Sequence, residues 1–121
     1  MGDPDEEFEE FQVAEFRITS YVKDRVITNA LRNGEMWEHW MEIIMRHWYK
    51  PGTNMVDAGA FVGTSSLQMS RILTPGNRIF AFEPIHHALL HRNVVTNGLT
   101  EQVIVFLSLI HISEPTRPER I

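Results

Sequence analysis

Cysteine is absent from the 121-residue chain, which excludes a disulfide framework and any thiolate-ligated metal site. A reducing, cytoplasmic setting is compatible with that absence and is the expectation. No apolar run approaches the length of a membrane span, and the start lacks the charged-then-apolar pattern of a signal peptide. A soluble chain that spans no membrane is therefore expected. Positive charge is also in short supply. The net charge is -5, and Asp3, Asp5, Glu6, Glu7, Glu9 and Glu10 all precede the first base. From Phe11 onward ten acids face eleven bases. That near-neutral body offers no Lys/Arg stripe for nucleic acid or for an anionic bilayer, so neither is an expected partner.

With 43% hydrophobic residues, a chain of this length suits one domain with a core. Residues 1–15 read as a solvated, flexible acidic tail. Residues 16–50 read as an N-terminal extension made of a hairpin and an amphipathic helix. Phe16 to Val22 alternates like a strand, and Lys23-Asp24 is expected to turn it into a second strand, Arg25 to Thr28. Apolar residues at 36, 37, 40, 41, 44, 45 and 48 follow one helical face, which predicts a helix from Met36 to Tyr49 ended by Pro51-Gly52. That spacing favours core positions for Trp37, Trp40 and Trp48. Glu42 and Arg46 sit four apart, as a surface ion pair would.

Residues 51–106 carry the pattern of an open parallel sheet. Met55 to Ala58 reads as a strand buried on both faces, followed by the turn Gly59-Ala60-Phe61-Val62-Gly63 and a helix starting near Thr64, Ser65 and Ser66, which offer capping hydroxyls. A second strand, Arg78 to Phe82, ends in Glu83-Pro84. A helix with Ala88, Leu89, Val94 and Val95 available for packing follows, stopped by Asn97-Gly98, and Gln102 to Phe106 begins a third strand. An apolar run ending in an acid, a glycine turn, a helix, and a second run ending in an acid make up the opening βαβ unit of a nucleoside-binding sheet.

The dinucleotide fingerprint fits this turn badly. Laid from Gly59, it puts Phe61 and Thr64 where the second and third glycines belong, and a Phe side chain blocks the approach of a pyrophosphate. A single nucleoside with a small charged tail suits the loop better. Its carboxylate would meet the N–H groups at the helix start, and the two oxygens of Glu83 could take both ribose hydroxyls. Against this stands the plainer reading that Asp57 and Glu83 merely cap the helices that follow. His87 and His91, four apart on a helix, lack an evident third ligand, so a solvated face is expected rather than a metal site.

The segments Val56 to Gly63, Ala81-Phe82-Glu83-Pro84 and Arg92 to Leu99 resemble successive motifs of the FkbM family of S-adenosylmethionine-dependent methyltransferases. Gly34-Glu35-Met36-Trp37-Glu38 resembles a Gly-x-x-Trp-Glu segment upstream in that family. The resemblance covers about Gly34 to Phe106. It implies a Rossmann-like three-layer α/β fold, S-adenosyl-L-methionine as cofactor, and methyl transfer, expected to be to a hydroxyl of a small molecule or sugar. By the same resemblance, Asp57, Gly59, Ala60 and Gly63 surround the methionine portion, Glu83 holds the ribose beside Pro84, and Glu38 faces the site. Phe61 lies in the same loop, where the family most often has Asn. Leu107 to Arg117 resembles a translated sequencing adapter, so residues 107–121 are expected to be non-native, with the sheet cut after about its third strand and the chain inactive. Two alternatives stay open: a fragment of an NAD-dependent oxidoreductase, and a non-catalytic interaction module that uses the Trp helix.

Overall fold

Three short apolar strands lie side by side in parallel: β3 (Met55–Ala58), β4 (Ile79–Phe82) and β5 (Val103–Phe106), with Met55, Ile79 and Val103 in register. The computed structural model describes residues 6–107, so the adapter-like stretch lies, from Ser108 on, outside the described residues. Helix α3 (Thr64–Ser70) joins β3 to β4, and α4 (His87–Thr96) joins β4 to β5, as parallel neighbours require. Side chains alternate along a strand, so Met55, Ile79, Ala81, Val103 and Val105 share one face. Met69 of α3 and Leu90 and Val94 of α4 pack on that face. The opposite face carries Val56, Ala58, Phe80, Phe82, Ile104 and Phe106, with the Phe82 and Phe106 rings stacked at 5.0 Å. Burial of β3 on both faces was expected. Val56 is instead 60% exposed, because it points to the face opposite the one on which α3 and α4 pack.

The acidic start is not a tail throughout. β1 (Phe8–Val13) pairs antiparallel with β2 (Phe16–Tyr21), burying Phe11 and Val13 while Glu9 and Glu10 reach outward to Arg32 and Arg17, each at 2.7 Å. Charge hid the two-residue alternation of that strand. Arg25 to Thr28 belongs to a helix, α1 (Arg25–Arg32), and not to a second hairpin strand. Asp24 caps it by accepting the Ile27 N–H, and Ile27, Thr28 and Leu31 are buried at helical spacing; the cap and that face outweigh the β-propensity of Val26-Ile27-Thr28. These elements form a second core of Phe11, Phe16, Ile18, Leu31 and Met36, joined by Leu67 of α3.

Helix α2 is shorter than the periodicity suggested, Trp40–Trp48, because Glu38 adopts φ +56, outside the helical region. Only Trp37 of the three tryptophans packs against a core; Trp40 and Trp48 are exposed. The inward side of α2 is instead Met45 and Glu42. Glu42 does pair with Arg46, and it also takes Arg71, whose guanidinium makes two further bonds to Glu15 and lies over the Phe16 ring. On α4, Leu89, Leu90, Asn93 and Val94 are buried, whereas the expected packing positions Ala88 and Val95 are exposed.

The hairpin meets the α/β unit through asparagines. Asn93 Oδ1 accepts the Thr19 N–H, while its Nδ2 donates to Thr19 O and Val62 O. One turn on, Asn97 does the same to Arg17, accepting its N–H and donating to its carbonyl. Asn93 is fully buried. Asn93→Ala is expected to cost about 2–4 kcal/mol, since it leaves buried backbone groups of Thr19 and Val62 unpaired, and the more exposed Asn97→Ala about 1 kcal/mol. Urea unfolding followed by circular dichroism measures both; equal losses would count against the ladder as described.

Candidate functional site

Glu83 stands at the carboxyl end of β4, and its N–H donates to Phe106 O so that the ladder extends one residue past the strand. Its carboxylate is buried and held by the backbone on three sides. Oε1 accepts the Phe61 N–H at 2.8 Å, and Oε2 accepts the N–H groups of Ile85 and His86 at 3.0 Å each. Pro84 has no N–H to offer, and it sits exposed between the acid and these donors. Glu83 therefore does precede and cap α4, as the plainer reading held, and it also grips the turn after β3. A carboxylate has about four acceptor directions. Three are taken, so one remains on Oε1, too few for the two ribose hydroxyls expected of it without rearrangement. Burial pushes the Glu83 carboxyl up, but the His86, Ile85 and Phe61 N–H groups and the nearby His86 charge outweigh it and hold it below its ordinary range.

Asp57 lies one strand over and on the same face, buried. Ser65 and Ser66 were expected to cap α3. Gly63, at φ +108, occupies the cap position with no side-chain bond, and the two hydroxyls donate instead to Asp57 Oδ2 at 2.6 and 2.7 Å. No protein hydrogen bond among the described residues reaches Asp57 Oδ1. The turn itself hangs from β4, because the N–H groups of Gly59 and Ala60 both donate to Phe82 O. Gly59 has φ +74 and open space where a Cβ would stand. Gly63 differs: a Cβ there would meet Leu90 Cδ1 at 3.0 Å, so its smallness lets α3 and α4 approach each other.

Phe61 has φ +52, a left-handed conformation that costs a bulky residue about 1–3 kcal/mol. Its ring finds compensation against His86 (4.6 Å between centroids) and Tyr21 (6.0 Å), and the Tyr21 hydroxyl shares a 2.7 Å hydrogen bond with His86 Nδ1. Burial, with the charges of Glu6 and Glu83, pushes the Tyr21 phenol up and keeps it neutral. Neither Tyr21 nor His86 was expected at the site. Their signal is non-local, since β2 must first be docked on α4. Glu38 is half-buried in the turn before α2, and among the described residues no hydrogen bond or ion pair joins its carboxylate to Asp57, the glycine turn or Glu83. His87 Nδ1 contacts Pro84 O at 3.3 Å. Among the described residues no three His, Asp or Glu side chains gather as a metal set.

The assembly can accept hydrogen bonds from hydroxyl or amino groups at two adjacent strand ends, beside a glycine that leaves room for a ligand. Parallel strands with acids at their carboxyl ends and helices on the sheet define a Rossmann-like α/β unit. No family model matches the chain, and no curated protein matches it. Among solved structures it is similar to the crystal structure of a candidate O-methyltransferase from Klebsiella pneumoniae, with 20% identity and a TM-score of 0.52. The match covers 80% of this chain and 49% of that one, so the chain spans about half the length of the structure it matches. The likeness establishes the fold, a Rossmann-like α/β unit with a three-stranded parallel sheet flanked by helices. No helix among the described residues is long and apolar enough to cross a membrane.

Because the folded-state pKa of Glu83 lies below its unfolded value, the carboxylate stabilises the fold above about pH 4.5 and loses that effect as the pH falls through the folded pKa. Glu83→Gln should therefore unfold at lower urea at pH 7 and show a shallower decline toward pH 3. Parallel declines in the two proteins would remove the ionised carboxylate from this role. Phe61→Ala should cost about 2–4 kcal/mol from lost ring packing with the backbone strain retained. Phe61→Gly relieves the strain and should cost less, an order that the same urea titrations check.

Proposed function

We propose that the chain is the cofactor-binding half of an S-adenosylmethionine-dependent O-methyltransferase of the FkbM type, acting on a hydroxyl of a small molecule or sugar. The observation that carries the reading is the coupling of Glu83 to the Gly59–Gly63 turn through the Phe61 N–H, which brings two acids and an open glycine to adjacent strand ends. The fold likeness to a candidate O-methyltransferase supports it. So does the conformation of Phe61: φ +52 suits Asn, which tolerates the left-handed region, and Asn is what the family most often has at this position. Phe61 at the second glycine position of the dinucleotide fingerprint weighs against an NAD-dependent oxidoreductase.

In this reading the free acceptor direction of Glu83 Oε1 takes one ribose hydroxyl, and the second is met only if one backbone bond gives way. Gly59 leaves room for the methionine portion, and Asp57 Oδ1 is available to a donor from it. Ser65 and Ser66 keep the Asp57 carboxylate oriented from behind. The cofactor supplies an electrophilic methyl group on a sulfonium; the chain's own residues bind and orient, and an acceptor site completes the enzyme.

Glu83→Ala, in a protein restored to the full sheet, should weaken S-adenosylmethionine binding by about 1–3 kcal/mol, roughly 5–150-fold, as read by calorimetry. Unchanged affinity would sink the assignment, and NAD competing for the site would favour the oxidoreductase. The chain by itself is expected to transfer no label from methyl-labelled S-adenosylmethionine, and measurable turnover would overturn the half-site reading.

A further inference from the structure

Helix α2 is amphipathic the wrong way round for a solvated helix. Its acid points into the molecule, where Glu42 is only 16% exposed and bonds both Arg46 and Arg71, while Met45 packs on the sheet core and Arg46 and His47 remain exposed. Its outer side is apolar: Trp40 is 52% exposed, Ile43 70%, Ile44 50% and Trp48 78%. Single exposed apolar residues are ordinary, but four along one stripe of one helix mark a contact surface. We propose that this stripe is a homodimer interface, in which α2 of one copy packs antiparallel on α2 of a second about a two-fold axis at Ile44.

Three features select a second copy as the occupant. Trp40, Ile44 and Trp48 form an i±4 row symmetric about Ile44, and such rows interdigitate between crossing helices. A two-fold axis there brings each Trp40 against the partner's Trp48, and Ile44 against its own equivalent, the self-complementarity an isologous interface needs. The stripe carries no Asp, Glu, Lys or Arg, so two copies meet without like-charge repulsion. The same lack of basic residues, with a net charge of -5, disfavours an anionic bilayer as the occupant. The two tryptophans and two isoleucines expose on the order of 500 Å² per copy, so together they can contribute up to about 1,000 Å², enough to reach the lower bound for a specific interface.

Sedimentation velocity of the full 121-residue chain over a dilution series tests this. The expected result is a concentration-dependent dimer whose Kd rises at least about tenfold in Ile44→Glu, with the circular dichroism spectrum unchanged. Because the chain has no cysteine, Ile44→Cys introduces a single thiol, which a short bismaleimide should join into a covalent dimer far more readily than the control Glu35→Cys. A wild-type chain that stays monomeric at about 100 μM would overturn the proposal and leave the stripe to another partner. So would a dimer indifferent to Ile44→Glu, or one abolished instead by Val56→Glu at the sheet edge.

Discussion

A strand edge closed by a helix holds this molecule together. In an antiparallel strand a residue's N–H and C=O point to the same side, alternating along the chain, so Arg17 and Thr19 of β2 turn theirs away from β1. Left bare against the helix, those groups would be costly to bury. Asn93 and Asn97 satisfy them with paired amide bonds that imitate a neighbouring strand. The match is geometric: two strand residues advance about 6.6 Å and four helix residues about 6 Å, so asparagines one turn apart meet every second residue. Tyr21, two residues further along β2, reaches His86 just before α4. By that docking the hairpin brings Tyr21 against Phe61 and His86.

The same connection reaches the turn after β3. Asn93 also holds Val62 O, while Glu83 holds the Phe61 N–H, so two buried side chains from the β4–α4 segment fix successive residues of one loop. The strained Phe61 is kept in place from both sides, which is how an unfavourable backbone conformation persists. The Glu83 carboxylate is fixed with it, and three of its roughly four acceptor directions are already in use.

Apolar surface is divided unevenly among the elements. The helix-covered face of the sheet is closed, whereas the outer side of α2 and Val56 at the β3 edge remain open. Two contacts go with the orientation of α2: Arg71 gathers Glu15 and Glu42 from the hairpin turn and the helix in a part-buried ion cluster, and Met45 packs on the sheet core. Hydrophobic periodicity finds an apolar stripe, but it does not say which side of the stripe meets the protein.

Local chemistry determined what was legible in the residues alone. The apolar runs of β3, β4 and β5, the glycine turn, the stop at Asn97-Gly98 and the acids at two strand ends each depend on a few neighbouring positions, so they were readable before any tertiary contact. They sufficed for the α/β fold and for naming Asp57, Gly59 and Glu83 as a group. Only the tertiary structure decided that the acidic start hides β1, that Arg25 to Arg32 is helical, that Ser65 and Ser66 serve Asp57, and that Gly63 is a packing position. The asparagine bonds join residues 74 and 80 apart in sequence, and Tyr21 meets His86 across 65. A side chain's type limits which bonds it can make, and the folded chain decides which partner it finds.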